Sequence, residues 1–166
     1  MLTVHRRESF GAPLAAILGA VRRIVAAHPD LVLVAPVHPN PEVAAPLRRR
    51  LGAQPRIRLL PPLDYPQLVA VLRASSLVLT DSGGIQEEAP LFGVPLVVLR
   101  GATERPEVLA AGYGELVGSD PERIVGAARR ALAAPRRLRA RSLYGDGRSG
   151  PRIARHLVEF LRRAAP

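Results

Sequence analysis

The 166-residue chain contains no cysteine, no tryptophan and no lysine, and aromatic residues make up only 4% of it. Without cysteine, neither a disulfide framework nor a thiolate metal site can form. So few aromatic side chains argue against a stacking platform for single-stranded nucleic acid. The longest apolar stretch, "LFGVPLVVL" (91–99), is shorter than the roughly 20 residues that a membrane-spanning helix needs. We therefore expect no interaction with a membrane.

The first ten residues, "MLTVHRRESF", hold no long apolar stretch behind a basic segment, so no signal peptide is expected. Hydrophobic residues make up 48% of the chain, which favours a folded domain over a disordered chain. At this length, one domain with a sizeable core is expected. Together these features predict a soluble, cytoplasmic protein.

All 24 basic residues are arginine, and the formal net charge is +10. The segment up to Glu122 holds 12 arginines and 12 acids, whereas the segment from Arg123 onward holds 12 arginines and only two acids. Such a basic patch could hold nucleic acid, an acidic protein surface or phosphates, or could be a solvated helical face. No nucleic-acid-binding motif accompanies it. We therefore expect no nucleic acid among the partners.

Short apolar runs rich in β-branched residues alternate with segments of helical periodicity. Continuous apolar runs are typical of parallel strands with both faces covered. The predicted strands are 2–5, 31–36, 57–60, 77–80, 95–100 and 114–118, and the predicted helices are 13–28, 41–51, 65–75, 84–92, 105–111 and 121–133. Several of these helices begin with proline in the first turn. The alternation predicts an α/β fold with a doubly wound, Rossmann-like parallel sheet.

The end of the chain departs from this alternation. Residues 142–152, "SLYGDGRSGPR", predict a glycine-rich turn that leads into an amphipathic helix. The apolar stripe of that helix consists of Ile153, Leu157, Phe160, Leu161 and Ala164. We therefore divide the chain into a Rossmann-like domain (1–148) and a terminal segment (149–166) whose apolar stripe needs a partner to cover it.

The stretch "TDSGGIQEEAP" (80–90) follows the fourth predicted strand. In an open parallel sheet, ligands bind where the carboxyl ends of strands lead into helices. There, Gly83 and Gly84 let backbone N–H groups approach an anion, and the helix dipole attracts it. Glu88 can accept hydrogen bonds from two vicinal hydroxyls, as on a ribose. The stretch therefore suits a nucleoside diphosphate, although an ordinary turn with first-turn acids remains an alternative.

Three further polar loops are expected at the same edge of the sheet. "HRRE" (5–8) follows the first strand, "HPNP" (38–41) the second, and "RGATERPE" (100–107) the fifth. In the last of these, Arg105 begins a helix, and its guanidinium could offset the glutamates and bind a phosphate oxygen. The convergence of the loops, rather than any one of them, predicts a binding site.

Seven motifs together closely resemble one family: "HRRES", "PVHPNP", "LLPPLDY", "LVLTDSGGIQEEAPLFGVPLVVLR", "TERPE", "LVGSDPERI" and "YGDGRS". It is the non-hydrolysing UDP-N-acetylglucosamine 2-epimerase family. The resemblance runs through essentially the whole chain but covers only the C-terminal half of the family's sequence. It implies a GT-B architecture, in which two Rossmann-like domains enclose the active site and this chain is the UDP-binding half.

The resemblance also implies roles for individual residues. The UDP-binding residues would be Ser82, Gly83, Gly84, Glu88, Arg105, Asp64 and Tyr65, with the loop around Asp64 to Leu68 receiving the uracil. His5 and Glu8 would lie on the catalytic side of the cleft. Arg6 and His38 match positions that contact a second, activating UDP-N-acetylglucosamine. No metal and no cofactor is implied.

The family's reaction eliminates UDP from UDP-N-acetylglucosamine and adds it back to give UDP-N-acetylmannosamine. The acid–base carboxylates of the family belong to an N-terminal domain, so we expect this chain to bind UDP and to need a separate or missing N-terminal half for turnover. A homodimer is possible in the full-length family. Two alternatives stay open: the donor half of a UDP-sugar glycosyltransferase, and a non-catalytic interaction module with an arginine-rich face.

Overall fold

The structure is a computed structural model that describes residues 1–134 and 138–164. Arg136 and Arg137 of the predicted basic segment lie outside the described residues, as do residues 165–166 of the predicted terminal segment and the side chain of Ala164. In the described ranges, no helix is long and apolar enough to cross a membrane.

Six short strands alternate with helices, as predicted. The strands are β1 Leu2–Thr3, β2 Leu33–Pro36, β3 Ile57–Leu60, β4 Val78–Thr80, β5 Leu96–Val98 and β6 Gly114–Leu116. The helices are α1 Ala12–Ala27, α2 Pro41–Leu51, α3 Tyr65–Ala74, α4 Gly83–Glu88, α5 Pro106–Ala110, α6 Pro121–Ala133 and α7 Ser149–Ala164. Several strands are shorter than predicted because their ends pass into the loops that form the rim of the sheet.

Local sequence signals explain where the helices begin. Asn40, Asp64 and Asp120 cap α2, α3 and α6, each accepting a hydrogen bond from a backbone N–H of the first turn. Proline follows in the first turn of each of these helices. The prediction of one helix over 84–92 was wrong in its second half: α4 ends at Glu88 and a 3-10 turn follows, because Pro90 has no N–H to continue the α-helical ladder.

All paired strands are parallel. One hydrogen-bonded sheet has the order β1-β4-β5-β6, and β2 pairs with β3 in a second. Strand β1 also lies beside β2, so the strands follow one another in the order β3-β2-β1-β4-β5-β6. This is the strand order of a doubly wound Rossmann-like fold. The sheet grows in one direction from β1 to β3 and in the other from β4 to β6, so the winding of the chain reverses between β1 and β4. The loops after β1 and β4 therefore flank the position where such folds bind their ligands.

The core has two parts, one on each face of the sheet. Leu79 and Val97 belong to the cluster that includes α1, α2 and α6. Their neighbours Val78 and Leu96 belong to the cluster with α3, α4 and α5. Because successive strand residues point to opposite faces, this division shows that helices cover both faces of the sheet, which confirms the predicted doubly wound α/β fold.

The segment between α6 and α7 returns toward the 3-10 turn after α4. Leu138 N–H donates to Gly93 O at 2.9 Å, and Arg141 N–H donates to Pro90 O at 2.8 Å. Gly93 has φ +66°, and a Cβ there would lie 2.1 Å from Leu138 O, so this approach requires glycine. The return places the "YGDG" loop near the rim of the sheet.

Helix α7 begins at Ser149, four residues before the predicted start, because Gly150 and Pro151 lie in its first turn, where proline is tolerated. The helix is exposed along its described length. Its large apolar side chains are between 47% and 68% exposed: Ile153, Leu157, Val158, Phe160 and Leu161. The large residues of the predicted apolar stripe are therefore present, and nothing in the described ranges covers them.

Candidate nucleotide-binding site

The centre of the site is the α4 corner, formed by Ser82, Gly83 and Gly84 where β4 leads into α4. Thr80 holds the entry to this corner: its Oγ1 accepts from Ser82 N–H at 2.9 Å and lies 2.7 Å from Thr3 Oγ1. In the described ranges no side-chain hydrogen bond caps α4. Its first N–H groups are thus available to an external anion.

Two guanidinium groups lie against Gly83. A Cβ placed on that residue would be 3.5 Å from Arg6 Nη2 and 3.9 Å from Arg105 Nη2. The two arginines come from the loops after β1 and β5, which the fold brings to either side of β4. Two cations and the helix N-terminus in one place favour a ligand with more than one negative charge.

A cavity of about 270 Å³ opens beside the corner. Its wall includes Ser82, Gly84 and Glu88 from the α4 region, together with His5 and His38 from the loops after β1 and β2. Pro62, Leu63 and Leu68, around the start of α3, add an apolar side. A corner with free N–H groups, a carboxylate and an apolar wall thus share one cavity, as a nucleotide would require.

Glu88 has an unusual environment for a carboxylate. In the described part of the chain, its Oε2 is buried without a hydrogen-bond partner. Burial and the nearby charge of Glu87 raise its pKa, and a hydrogen bond from Tyr65 partly offsets this effect. A carboxylate oxygen left without a partner at a cavity wall can accept hydrogen bonds from a ligand's hydroxyl groups.

Arg105 is held by residues of α4 and of its own loop. Its Nε donates to Glu87 Oε1, and its Nη1 donates to Glu104 O at 3.1 Å. The side-chain hydrogen bond with Glu87 raises the pKa of Arg105. The predicted pairing of Arg105 with a glutamate, which offsets the negative charge of that glutamate, is therefore present, and the partner is Glu87.

His5 and His38 stack at the mouth of the cavity, with ring centroids 5.7 Å apart and ring planes 21° from parallel. His5 Nδ1 lies 3.5 Å from Asp81 Oδ1, while His38 Nδ1 accepts from Asn40 N–H at 3.2 Å. A hydrogen bond thus anchors the His38 ring through Nδ1, and the His5 ring lies beside the carboxylate of Asp81.

Asp81 is a residue of the site that was not predicted from the sequence. This carboxylate is fully buried and accepts from the N–H groups of His5 and Arg6, at 3.0 and 2.9 Å, and from Ser9 Oγ at 2.9 Å. It thereby fixes the loop after β1 against the α4 corner. An acid directly after a predicted apolar strand, inside a motif already singled out, was the sequence signal that could have identified it.

Glu8 lies on the other side of the rim, in an ion-pair network. Arg100, which is only 7% exposed, donates from Nε to Glu8 Oε1 at 2.6 Å and also binds Glu104. Hydrogen bonding to Arg100 lowers the pKa of Glu104 to about 2. The stabilisation from this carboxylate is therefore present above its ordinary pKa and is lost as the pH falls toward 2.

The two residues predicted near the uracil lie at the start of α3. Asp64 Oδ1 accepts from Gln67 N–H at 2.8 Å, so this side chain caps the helix. Tyr65 is 63% exposed and reaches Glu88 through its hydroxyl. In this structure, Asp64 shapes the loop, and neither residue is among those that line the cavity.

The sequence matches the model of one family, described as UDP-N-acetylglucosamine 2-epimerase, over residues 1–158. The chain belongs to the UDP-N-acetylglucosamine 2-epimerase family. A member from Salmonella typhimurium is 43% identical over 164 residues, which are 96% of this chain and 44% of that protein. This confirms the resemblance identified from the seven motifs.

Two solved epimerase-family structures are also similar to this chain. The Neisseria meningitidis enzyme bound to UDP-GlcNAc has a TM-score of 0.91 at 34% identity, covering 95% of this chain and 44% of that one. The Staphylococcus aureus MnaA–UDP co-structure has a TM-score of 0.90 at 41% identity, covering 97% and 45%. The fold is therefore that of one half of a GT-B architecture, and the chain spans less than half the length of these relatives.

The structure brings most of the predicted site residues of this epimerase-family chain to one place. Ser82, Gly84, Glu88, His5 and His38 line one cavity, and Arg6 and Arg105 lie against Gly83. Glu8 lies apart, with Arg100 and Glu104. In the described ranges, no three His, Asp or Glu side chains form a group that could hold a metal ion.

Proposed function

We propose that this chain is the UDP-binding half of a UDP-N-acetylglucosamine 2-epimerase. The observation that carries the proposal is the α4 corner, where Arg6 and Arg105 lie against Gly83 beside a cavity that Glu88 lines. The N–H groups of α4 and the two guanidiniums would bind the diphosphate. Relatives solved with UDP-GlcNAc and with UDP share the fold, which supports this choice of ligand.

The other candidate residues follow from the same cavity. Glu88 would accept from the two ribose hydroxyls, since its Oε2 is buried without a partner in the described part of the chain. The apolar wall near Leu63 and Leu68, with Tyr65 and the capped turn at Asp64, would receive the uracil. His5 and Glu8 remain catalytic-side candidates. His38 remains a candidate for contact with an activating nucleotide sugar, and so does Arg6 in addition to its place at the diphosphate.

The epimerisation would proceed by elimination and addition. A base removes the proton from C2 of the sugar while the C1–O bond breaks, which gives 2-acetamidoglucal and UDP. A proton then returns to the opposite face of C2, and UDP adds back to C1. Both steps need a positioned acid–base pair and a site that excludes water. The cavity of this chain is open on one side, so the chain would hold UDP but not close over the sugar.

We further propose that α7 packs on an N-terminal half like the one that makes up the rest of the relatives' length. The apolar residues of α7 are exposed in this chain, and the arginine excess lies in the segment that contains it. An acidic, apolar surface on that N-terminal half would match both features.

A cytoplasmic location stays a prediction, and the absence of cysteine is compatible with a reducing compartment.

Nucleotide binding can be tested by thermal and chemical denaturation with UDP. At 100 times its dissociation constant, UDP should add about 2.7 kcal/mol to the free energy of unfolding. Arg105→Ala and Glu88→Ala should remove most of this gain, whereas Arg152→Ala, at an exposed pair with Asp146, should leave it unchanged. A wild-type chain that UDP does not stabilise would refute the proposal.

The need for an N-terminal half can be tested by NMR of UDP-N-acetylglucosamine. The chain alone should form no epimer, whereas a fusion to the N-terminal part of the Salmonella relative should form UDP-N-acetylmannosamine. Clear epimer formation by the chain alone would show that no partner is needed.

A further inference from the structure

Arg105 is anchored on a chain of side-chain hydrogen bonds that begins inside α4. Gln86 is fully buried, and its Nε2 donates to Ser82 O at 3.2 Å. Its Oε1 accepts from Thr103 Oγ1 at 2.6 Å. Thr103 Oγ1 in turn accepts from Arg105 N–H at 3.1 Å. The residue that begins the α4 corner is thus linked through two side chains to the backbone of Arg105.

The side chain of Arg105 is held at two of its three nitrogens. Nε donates to Glu87, and Nη1 donates to the carbonyl oxygen of Glu104. The remaining nitrogen, Nη2, is the one that would lie 3.9 Å from a Cβ on Gly83. The backbone anchor and the two side-chain bonds therefore leave one edge of the guanidinium facing the α4 corner.

We propose that Gln86 and Thr103 are positioning residues that fix Arg105 over the α4 corner for diphosphate binding. This inference rests on the proposed function, because it assigns these residues to the same nucleotide site. Neither side chain needs to contact the ligand. Thr103 Oγ1 already donates to Gln86 and accepts from Arg105 N–H, and Gln86 is buried beneath the corner. Their contribution is to hold the guanidinium in place before the ligand arrives, which lowers the ordering cost of binding.

Isothermal titration of the full chain tests this with two ligands, UDP and uridine. Thr103→Val removes the hydroxyl but keeps the shape of the side chain. It should weaken UDP binding about fivefold, which is the effect of losing one hydrogen bond of about 1 kcal/mol. Uridine affinity should stay within about twofold because it carries no phosphate. Thr103→Ser, which restores the hydroxyl, should recover UDP binding. Equal losses for UDP and uridine, or no loss at all, would overturn the proposal.

A double-mutant cycle separates positioning from a direct role. In an Arg105→Ala background, Thr103→Val should not weaken UDP binding any further, since there is no guanidinium left to position. Gln86→Met removes the acceptor for Thr103, so by itself it should reproduce the loss of UDP affinity. Combined with Thr103→Val, it should cause no further loss. An additive loss in the Arg105→Ala background would show that Thr103 acts independently of Arg105 and would refute the inference.

A measurement without ligand keeps the inference distinct from the proposed function. The side-chain Nε–H signal of Arg105, assigned by its absence in Arg105→Ala, should be well ordered in the wild-type chain and more mobile in Thr103→Val. Unchanged order would refute the positioning role whatever the UDP titration shows. Conversely, a wild-type chain that fails to bind UDP but shows this loss of order would refute only the proposed function.

Discussion

The rim of the sheet and the terminal helix α7 are built in opposite ways. At the rim, charged side chains find partners within the chain: Asp81 binds the loop after β1, Arg100 binds two glutamates, and Arg105 binds Glu87. In α7, large apolar side chains are about half exposed or more, although burying each would contribute about 1.5–3 kcal/mol. The rim is thus organised by this chain alone, whereas α7 has a pattern that the described part of the chain does not satisfy.

Charge shows the same contrast. The acid at the centre of the rim, Asp81, is fully buried and has several donors. Near α7, Asp146 forms a bidentate pair with Arg152 at 2.7 and 2.9 Å, but both side chains are more than half exposed. Exposed pairs contribute little because water screens them. We therefore expect rim substitutions to alter the stability of this chain and, if α7 packs on an N-terminal half as proposed, α7 substitutions to alter that association.

The largest expected effect is therefore on Asp81. Asp81→Ala should lower the free energy of unfolding by about 3 kcal/mol, because it leaves buried and half-buried donors without an acceptor. Asp146→Ala is the matched control near α7 and should cost less than about 1 kcal/mol. Urea denaturation of both variants measures the difference. Similar losses of stability in the two variants would show that the hydrogen bonds of the rim contribute no more than the exposed ion pair near α7.

Gly83→Ala should change binding and stability in opposite directions. A Cβ there would occupy the space between the α4 backbone and the two guanidiniums, so UDP affinity should fall about tenfold, or about 1.4 kcal/mol. Stability should rise by about 0.5–1 kcal/mol, because alanine is favoured over glycine in a helix.

Gly19→Ala provides the control for this substitution. Gly19 lies within α1, and a Cβ there meets nothing within 4 Å. It should give the stability gain without the loss of UDP affinity, measured by denaturation and calorimetry. Unchanged UDP affinity in Gly83→Ala would place the anion site elsewhere.

Glu88→Gln should give a smaller effect that depends on pH. Because burial and Glu87 raise the pKa of Glu88, its ionised form disfavours the folded state, and this cost appears as the pH rises through the carboxyl range. The variant should therefore be more stable than wild type at pH 7, with the advantage shrinking toward pH 4. Thermal unfolding at both pH values checks this. An advantage that is larger at pH 4 would contradict the assigned cause.

The smallest expected effect on this chain comes from α7 itself. A variant with Leu157, Phe160 and Leu161 all replaced by glutamine should change the free energy of unfolding by less than about 0.5 kcal/mol, because these side chains are exposed. UDP binding should also be unchanged. Activity in the fusion with a relative's N-terminal half should be lost. A large destabilisation of the isolated chain would show that α7 is already packed within it.

Much of the fold could be predicted from sequence because the strands are continuous apolar runs and the helices carry local caps. Asp64 and Asp120, each with a proline in the helical turn that follows, begin α3 and α6 where predicted. The ends of strands were less predictable. Thr80 and Asp81 follow the same apolar run, yet one ends β4 and the other serves the rim through its side chain.

The candidate site was only partly predictable. The motif "TDSGGIQEEAP" and Arg105 indicated a nucleotide site through glycine, charge and position after a strand. Local sequence could not show which glutamate pairs with Arg105, because that depends on how two loops meet above β4 and β5. Gln86 and Thr103 were missed for the same reason: their bond joins residues 17 positions apart.

The sequence by itself determined the α/β class, the family, the helix caps, the amphipathic terminal helix and the position of the candidate anion-binding corner, because these depend on periodicity, composition and residues close in the chain. The tertiary structure decided how the corner is completed. It brought Asp81 to the backbone of His5 and Arg6, set Arg105 on Glu87, and left the apolar face of α7 exposed. These contacts join distant segments whose relative positions are set by the packing of the whole sheet.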